Sequence, residues 1–371
     1  MKKLILLTIV IVILSAITYL VISETGLLNR NNSIIPKVNF NLADTSSKDI
    51  PRTSVIASNL SVPWDIAFLP DKRMIITERE GNVKIIDGSN IETIATINTL
   101  QSSESGLHGI AVDPEFESNN NIYLYYTTNG NGGNTLNRVS KYKFLDNTLN
   151  DETILVDKIP GANIHDGGRI RFGPDGYLYI TTGDAANPSS AQDTNSLAGK
   201  ILKVDTNGDA VPGNPFGNLV YSYGHRNPQG ITWDSAGQLF ETEHGNNATD
   251  EFNKIEMGKN YGWPTIRGDE KNNTMVSPLI QSESNTWAPA GLSFINGKFY
   301  FAGLRGNALY EVEKTDNGYS LKEFFSDEFG RIRAVTTGPD GMLYISTSNK
   351  DGRGIASFDD DKIIRVNPEK L

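Results

Sequence analysis

Residues 167–184 read GGRIRFGPDGYLYITTGD: an apolar strand, a Pro-Asp-Gly turn, and a second strand that ends in Thr, Gly and Asp. Pro and Gly favour a tight turn, and the Ile, Tyr and Leu side chains favour β-structure on both sides of it. The same strand, polar turn and strand recurs five more times along the chain. The other copies are WDIAFLPDKRMIITER from Trp64, HGIAVDPEFESNNNIYLYYT from His108, QGITWDSAGQLFETEHG from Gln229, AGLSFINGKFYFAGLRG from Ala290 and RAVTTGPDGMLYISTSN from Arg333.

These hairpins predict an all-β fold, a six-bladed β-propeller. Their starts lie roughly 40 to 65 residues apart, which matches propeller blades with and without inserted loops. A single hairpin cannot bury both of its faces, whereas four-stranded sheets packed around one axis can. A β-sandwich is the alternative, but a sandwich does not require six copies of one hairpin. The insertions at 187–197 and 269–287 should then form loops on one rim, where binding residues usually lie.

The composition excludes several classes of protein. The 371 residues carry a net charge of -10, which argues against a nucleic-acid partner because such binding depends on clustered Lys and Arg. The chain has no cysteine, so disulfides, thiolate metal sites and covalent c-type haem are excluded. Any redox chemistry therefore needs a bound cofactor.

The N-terminus predicts a membrane anchor followed by a tether. Residues 4–23 carry no charge, and a helix of that length spans about 30 Å, the thickness of the hydrocarbon core. Lys2 and Lys3 precede it, so the remaining chain should lie on the extracytoplasmic side of the cell membrane. We expect a single-pass protein with an anchor over 1–23, a flexible linker over 24–50 and the propeller over 51–371. A cleaved signal peptide, which would release a secreted protein, is the alternative.

Residues able to do chemistry recur in the loops that lead into the blades. His165 precedes the third hairpin, where an imidazole could act as a general base near neutral pH. A lone loop histidine is more often a structural residue, but the equivalent loops hold further polar groups. These are Glu104, His225, Arg226, Asn227, Arg331 and Arg333, with Arg305 at the end of another hairpin. Their recurrence at matching positions predicts that they converge at one end of the propeller.

The arginines in this set predict a cationic pocket on an acidic protein. A guanidinium pairs bidentately with a carboxylate and stacks on aromatic rings, so four of them together suit a planar polyanion. Salt bridges between blades are the alternative for any single arginine.

The stretch EHGNNATDE offers hard oxygen ligands. Glu243, Asp250 and Glu251 bring carboxylates, and Gly245 and Asn246 bring loop carbonyls. Such ligands suit calcium far better than zinc. A solvated acidic turn is the alternative interpretation.

From about residue 64 to residue 368 the sequence resembles the soluble quinoprotein glucose dehydrogenase family, also called glucose/sorbosone or aldose sugar dehydrogenases. The motifs that carry the resemblance are GLHGIAVDPEF, HDGGRIRFGPDGYLYITTGD, GKILKVDTNG with VPGNPF, YGHRNPQGITW, EHG followed by DEFNKI and NYGWP, and GRIRAV with SNKDGRG. The family fold is a six-bladed propeller, in agreement with the repeat count. The resemblance implies the cofactors pyrroloquinoline quinone (PQQ) and calcium.

The resemblance also implies roles for matching residues. His165 matches the general base that takes the proton from the anomeric hydroxyl while hydride passes to PQQ. Arg226 and Asn227 match residues that contact the quinone and polarise its reactive carbonyl. The other implied cofactor contacts are Glu104, Arg305, Arg331 and Arg333, of which Arg305 stands where glucose-type members have Lys.

A set of calcium ligands is implied in the same way. Gly245 and Asn246 match main-chain carbonyls that hold the cofactor's calcium. Glu251 and Tyr261 match a structural calcium site, to which Asp269 would add a ligand.

Two departures from glucose-type members leave the sugar open. Ile164 stands before His165 in place of an acid, and Asn246 replaces a common Pro. The long loops and dimer contacts of those members are not evident, which favours a monomer of the simpler aldose dehydrogenase kind.

The sequence therefore predicts a dehydrogenase that oxidises an aldose or a related alcohol to a lactone or acid. Its electrons must pass to a separate acceptor, such as a cytochrome, a copper protein or a quinone. Two alternatives come from other classes. One is a calcium-dependent lactonase-type propeller hydrolase, and the other is a non-catalytic propeller that binds glycans or proteins.

Overall fold

Residues 49–130 and 133–371 are described by the computed structural model of this chain. One unit spans Ile50–Leu371, and it consists of six four-stranded antiparallel sheets. The anchor predicted over 1–23 and nearly all of the linker predicted over 24–50 lie outside the described residues. Within the described ranges, no helix has the length and apolar character needed to cross a membrane.

Each repeated hairpin forms the two innermost strands of one sheet, and the sheets follow one another along the chain. The strands are β1 (Thr53–Ala57); β2 to β5 (Pro63–Phe68, Met74–Glu78, Asn82–Asp87, Asn90–Thr96); β6 to β9 (Leu107–Val112, Asn121–Asn129, Thr135–Leu145, Thr148–Pro160); β10 to β13 (Ile170–Phe172, Leu178–Thr182, Lys200–Val204, Val220–Tyr223); β14 to β17 (Pro228–Trp233, Leu239–Glu243, Glu251–Ile255, Ile280–Gln281); β18 to β21 (Pro289–Ile295, Lys298–Gly303, Ala308–Thr315, Gly318–Phe324); and β22 to β24 (Ile332–Thr337, Leu343–Thr347, Ile363–Val366).

The sixth blade joins the two ends of the described chain. Its strand order is β1-β24-β23-β22, so the segment before the first hairpin supplies the outermost strand of the last blade. Thr53 lies opposite Val366 in this pairing. The prediction of a six-bladed β-propeller is confirmed.

Helical structure is brief in the described part of the chain. The α-helix α1 covers Phe116–Asn119, and 3-10 turns cover Pro188–Gln192 and Pro368–Lys370. The insertion at 187–197 lies between β11 and β12. The insertion at 269–287, which we expected to be a loop, contains strand β17, the outermost strand of the fourth blade. The rest of the insertion is loop, as expected, and the strand was not predicted because two residues are too few to show an alternating pattern.

Apolar side chains fill the spaces between neighbouring blades. Between the first and second blades, Ile75 and Val83 pack in one buried cluster with Ile110 and Leu124, and none of the four is exposed to solvent. Each such side chain contributes about 1.5–3 kcal/mol by leaving water. The blades are therefore fixed to one another, and the loops at their ends have a rigid base.

The innermost strands carry bulges near their starts. The pairing register shifts at this point in β2, β6, β14, β18 and β22. A bulge redirects a side chain out of the regular alternation. Four residues at shifted positions, Trp64, His108, Gln229 and Arg333, line the same cavity at one end of the central channel. The bulges thus turn strand residues into site residues.

Candidate active site at the mouth of the channel

Three adjoining depressions form the mouth of the channel, and His244 lines all three. The first contains Glu104 and Arg333. The second contains Arg226, Gly245, Asn246, Glu251 and Tyr261, and the third contains Arg305 and Arg331. Most residues selected from the sequence therefore lie around one opening.

His165 stands in a fixed orientation beside this opening. Its Nδ1 lies 2.7 Å from Oδ1 of Asp184, whose side chain is fully buried. The other oxygen of Asp184 accepts a hydrogen bond from Nε1 of Trp263 at 2.8 Å. A carboxylate accepts hydrogen bonds, so in the neutral imidazole the proton is on Nδ1 and Nε2 is bare. The pair presents Nε2 as a general base.

The backbone around His165 is held as tightly as its side chain. His165 has φ +63°, and its carbonyl accepts a hydrogen bond from the amide of Ala185 at 3.2 Å. A side chain at residue 183 would collide with that carbonyl, so Gly183 is required there. The last strand residues of the repeat therefore set the position of the base.

Glu104 ties the loop of His165 to the far side of the opening. One carboxylate oxygen accepts the backbone N–H of His165 at 3.0 Å, and the other accepts Nη1 of Arg353 at 2.7 Å. Burial would raise the pKa of Glu104, but the His165 hydrogen bond and the charges of His244 and Arg353 bring it down to about 2. Glu104 is thus an anion that positions its neighbours.

Arg226 and Asn227 lie on the loop between β13 and β14. The Arg226 amide donates to Glu243 at 2.6 Å, and its guanidinium lies over the ring of Trp263 at 5.3 Å. Oδ1 of Asn227 accepts the backbone N–H of Gly167 at 3.0 Å. Both side chains are therefore fixed before any ligand arrives.

Arg331 and Arg333 are paired within their own blade. Nη2 of Arg331 lies 2.9 Å from Oδ2 of Asp351, and Nη2 of Arg333 lies 3.4 Å from the same oxygen. Burial lowers the pKa of Arg333 to about 9. Arg305, by contrast, is exposed. The pocket is less cationic than the four arginines alone suggest, because Asp351 balances part of the charge.

Several buried polar atoms at the mouth have no hydrogen-bond partner within the protein. Such atoms are rare in folded proteins and each calls for an explanation. They are Nε of Arg79, Nδ1 of His108, Nε of Arg226, Nδ2 of Asn227, Oε1 of Gln229 and Nε2 of His244. A flat ligand rich in carboxylate and carbonyl oxygens would satisfy the donors among them.

A second charged cluster lies on β15 and β16. Glu241 faces Asn253, and Glu243 faces Glu251, while Nδ1 of His225 lies 3.1 Å from Glu243. Nδ2 of Asn253 reaches the oxygens of all three glutamates at 3.1 to 3.4 Å. Burial and the charge of Glu243 raise the pKa of Glu251 to about 8. Carboxylates this close need a proton or a cation between them.

The loop between β15 and β16 lies beside this cluster. Asp250, considered above as a ligand, accepts hydrogen bonds from the amides of Gly245, Trp287 and Ala288 at 2.6 to 2.8 Å. Its oxygens are therefore used to fix the loop. Gly245 and Asn246 line the depression next to Glu251, where their carbonyls are the groups to consider for a cation.

Tyr261 and Asp269 relate to this cluster in different ways. The hydroxyl of Tyr261 donates to the carbonyl of Lys254 at 2.7 Å, so its backbone carbonyl is the group left for a cation. Asp269 is exposed, and its carboxylate accepts Nε2 of Gln281 at 2.8 Å. Among the described residues, those lining the depression around Glu251 do not include Asp269.

Sequence reasoning missed several residues of the mouth. Asp184, His244 and Arg79 all follow the second strand of a hairpin, at the position where Arg305 was selected. The repeat itself carried this signal, since equivalent positions in successive blades meet at one end of the channel. Asp351 and Trp263 lie outside the repeated hairpins; the motifs SNKDGRG and NYGWP contain them, but the resemblance was not used to assign them a role.

Comparison with known proteins agrees with this geometry. The profile of the Glucose / Sorbosone dehydrogenase family matches residues 60–358. The chain is 28% identical to aldose sugar dehydrogenase YliI of Escherichia coli (strain K12), over 86% of this chain and 96% of the relative. It is 30% identical to quinoprotein glucose dehydrogenase B of Acinetobacter calcoaceticus, over 58% of this chain and 52% of the relative.

A solved structure gives the same result. The PQQ-bound form of aldose sugar dehydrogenase from Streptomyces coelicolor superposes with a TM-score of 0.79 at 35% identity. The match covers 85% of this chain and 98% of that one. The similarity therefore extends over most of the chain.

Proposed function

The chain belongs to the glucose/sorbosone dehydrogenase family, and we propose that it is a PQQ- and calcium-dependent dehydrogenase of aldoses or related alcohols. The observation that carries this proposal is the His165–Asp184 pair beside a mouth lined with unpartnered buried donors. A base next to donors suited to a carboxylated quinone is what oxidation of a sugar hydroxyl requires.

The residues at the mouth include hydrogen-bond donors and arginines, which suit the quinone and carboxylate oxygens of PQQ. Arg226 and Asn227 each have a buried nitrogen without a partner, and both can donate to the oxygens of the quinone. Arg305 and Arg331 line one depression and can pair with carboxylates of the same ligand. Arg333 and Glu104 line the neighbouring cavity. When bound, PQQ supplies the quinone that accepts a hydride from the sugar carbon.

The chain's own groups handle the proton. Nε2 of His165 takes the proton of the sugar hydroxyl as the carbon–oxygen double bond forms, so an aldose yields a lactone. Asp184, held 2.7 Å from Nδ1, then stabilises the imidazolium. The neighbouring indole of Trp263 keeps the Asp184 carboxylate in place. This arrangement needs no other base.

Calcium is proposed for the acidic cluster and the adjacent loop. The carbonyls of Gly245 and Asn246 are proposed for the calcium of the cofactor, and Glu251 with the carbonyl of Tyr261 is proposed for a structural calcium, because calcium prefers hard oxygens of both kinds. Oε1 of buried Glu241 has no partner, so this cluster can take a cation without losing a hydrogen bond there. Asp269 remains a proposed outer ligand.

The partners follow from the reaction. The chain has no cysteine and no covalent haem site, so the electrons pass from the quinone to a separate acceptor. We retain the N-terminal anchor and the extracytoplasmic location as proposals, because a membrane-bound enzyme would meet such acceptors there. We propose a monomer because the long loops and dimer contacts of glucose-type members are not evident in the sequence.

Dye reduction tests the proposed reaction. The purified protein is loaded with calcium and PQQ and assayed with a panel of aldoses. We expect turnover by the wild type and none by His165→Ala, whose affinity for PQQ should change little because Arg226 and Asn227 remain. If none of the aldoses is oxidised, the proposal is contradicted. Hydrolysis of lactones would favour the lactonase alternative.

Thermal unfolding after chelation tests the cation. Calcium should raise the Tm of the wild type, because binding to the folded state alone stabilises it. Glu251→Gln should remove most of that increase. Asp269→Asn tests the outer ligand and should remove a smaller part of the increase, because Asp269 is exposed; a normal calcium response in that variant would show that Asp269 is not a ligand. An equal response in wild type and Glu251→Gln would place the cation elsewhere.

A further inference from the structure

Lys200, the first residue of β12, is a fully buried lysine outside the mouth. Its Nζ donates to three backbone carbonyls, those of Ser190 at 2.8 Å, Ala191 at 3.1 Å and Ala198 at 2.6 Å. An ammonium has three protons, so every one of them is used. All three acceptors belong to the segment between β11 and β12, residues 183–199. Three carbonyls of one segment therefore surround the ammonium, in the way that carbonyls surround a bound metal ion.

The charged form of Lys200 is stabilised by these carbonyls. Burial lowers the pKa of Lys200 to about 7, and the charge of Asp193 acts in the opposite direction. Hydrogen bonds to the ammonium favour it further. Without the ammonium, the buried carbonyl of Ala198 would lose this donor, and the carbonyls of Ser190 and Ala191 would keep only one backbone N–H each, from Asp193 at 3.2 Å and from Gly224 at 2.9 Å. This one group therefore supports the segment at two places, at Ser190–Ala191 and at Ala198.

The segment leads directly to the candidate base. Gln192 donates through Nε2 to the carbonyl of Trp263 at 2.6 Å, and the indole of Trp263 donates to Asp184. Asp184 itself lies at the start of the segment and holds Nδ1 of His165. Lys200 thus supports Asp184 from two sides, through the chain that follows it and through Trp263.

A second lysine of the same strand gives a matched comparison. Nζ of Lys203 pairs with Asp175 at 2.8 Å and lies over the ring of Tyr177 at 4.8 Å. Asp175 belongs to the turn between β10 and β11, at the other end of the blade from His165. Loss of Lys203 removes the same charge from the same strand without touching the segment at 183–199.

We propose that Lys200 is a positioning residue for His165: its ammonium fixes the segment 183–199 so that Asp184 holds the imidazole in the tautomer with a bare Nε2. This tautomer matters for catalysis only if His165 is the general base of the proposed function, and to that extent the inference rests on that function. It can be tested without cofactor, because the tautomer is a property of the protein alone.

Nitrogen-15 NMR of histidine-labelled protein without PQQ reads the tautomer directly, between about pH 6.5 and 7, where at least half of an ordinary imidazole is neutral and at least half of Lys200 carries its charge at a pKa of about 7. His165→Gln identifies the signals of His165. In the wild type and in Lys203→Met, Nε2 should show the shift of a bare nitrogen. Lys200→Met should show both tautomers, as should Asp184→Asn. A single unchanged tautomer in Lys200→Met would overturn the inference. If Lys200→Met does not fold, Lys200→Gln takes its place, since it also removes the charge while keeping a polar side chain; it too should show both tautomers, and a single unchanged tautomer would overturn the inference.

Kinetics of the PQQ-loaded enzyme separate positioning from general loss of stability. Lys200→Met should lower kcat about tenfold or more and leave KM for the sugar within about twofold. The double variant Asp184→Asn with Lys200→Met should be no slower than Asp184→Asn, because both changes act through one contact. Effects that multiply would overturn the inference. A wild type that oxidises no aldose would instead sink the proposed function, and the NMR result would still decide the role of Lys200.

Discussion

The contact between Nδ1 of His165 and Oδ1 of Asp184 decides what the histidine can do. A loop histidine without a partner can exchange tautomers, whereas a buried carboxylate on Nδ1 leaves Nε2 free to accept a proton. The hydrogen bond from Trp263 and the close approach at Gly183 hold both groups in this arrangement. The contact therefore fixes Nε2 as the nitrogen of His165 that can act as a base.

Asp184→Asn tests this arrangement. The amide can donate to Nδ1 and so favour the wrong tautomer, and kcat should fall about 10²–10⁴-fold, as expected for loss of general-base catalysis. The affinity for PQQ should change little, because Asp184 contacts His165 and Trp263 and does not line the mouth. Steady-state dye reduction and a fluorescence titration with PQQ measure the two effects. An unchanged kcat would mean that another group is the base.

At this scale the sequence predicted positions better than partners. His165 and Arg226 were selected because they occupy matching loops of a repeat, and a repeat can be read from one sequence. Asp184 was missed because its contact with His165 spans 19 residues and depends on how two loops meet. The pairing of Arg331 and Arg333 with Asp351 was invisible for the same reason.

At the scale of elements, two features that a hairpin pattern does not show determine the site. One is the set of bulges that turn Trp64, His108, Gln229 and Arg333 towards the channel. The other is the pairing of β1 with β24, which closes the ring. The sequence predicted the hairpins from their alternating patterns, but a bulge breaks the alternation and β1 precedes the first repeat. The strand β17 was predicted as part of a loop, because two residues are too short to show a strand pattern.

Removal of β1 tests the closure of the ring. A chain that begins at residue 59 should unfold at lower denaturant than one that begins at residue 49, because it leaves the edge of β24 unpaired. The loss includes about 0.8 kcal/mol for the buried methyl group of Ala57, the contacts of the partly buried Ile56 and the strand pairing. Urea unfolding followed by tryptophan fluorescence measures the difference. Equal midpoints would show that β1 contributes nothing to closure.

At the scale of the whole molecule, the propeller buries ionisable side chains, and burial makes their charged forms unfavourable. His108 is an example: its ring stacks between Trp64 and Tyr125, and its exposed fraction is 1%. Burial lowers the pKa of His108 to about 3. The folded protein therefore keeps this histidine neutral at pH values where the unfolded chain binds a proton.

This difference predicts a pH dependence of stability. Between the ordinary pKa of histidine, 6.5, and about 3, the unfolded state binds one more proton at His108 than the folded state. The free energy of unfolding should therefore fall as the pH falls through this window, by about 1.4 kcal/mol per pH unit from this residue. His108→Gln should flatten the curve in that range. Parallel curves for the two proteins would show that His108 is protonated in the folded state.

The proposal that the channel mouth binds PQQ and uses it to oxidise a sugar is tested most directly by one anaerobic titration. PQQ is added to the calcium-loaded protein until its spectrum shows saturation, and an aldose is then added in a single turnover. We expect one PQQ per chain, and reduction of the bound quinone by the sugar that is fast in the wild type and lost in His165→Ala. No saturable binding, or a bound quinone that no aldose reduces, would contradict the account.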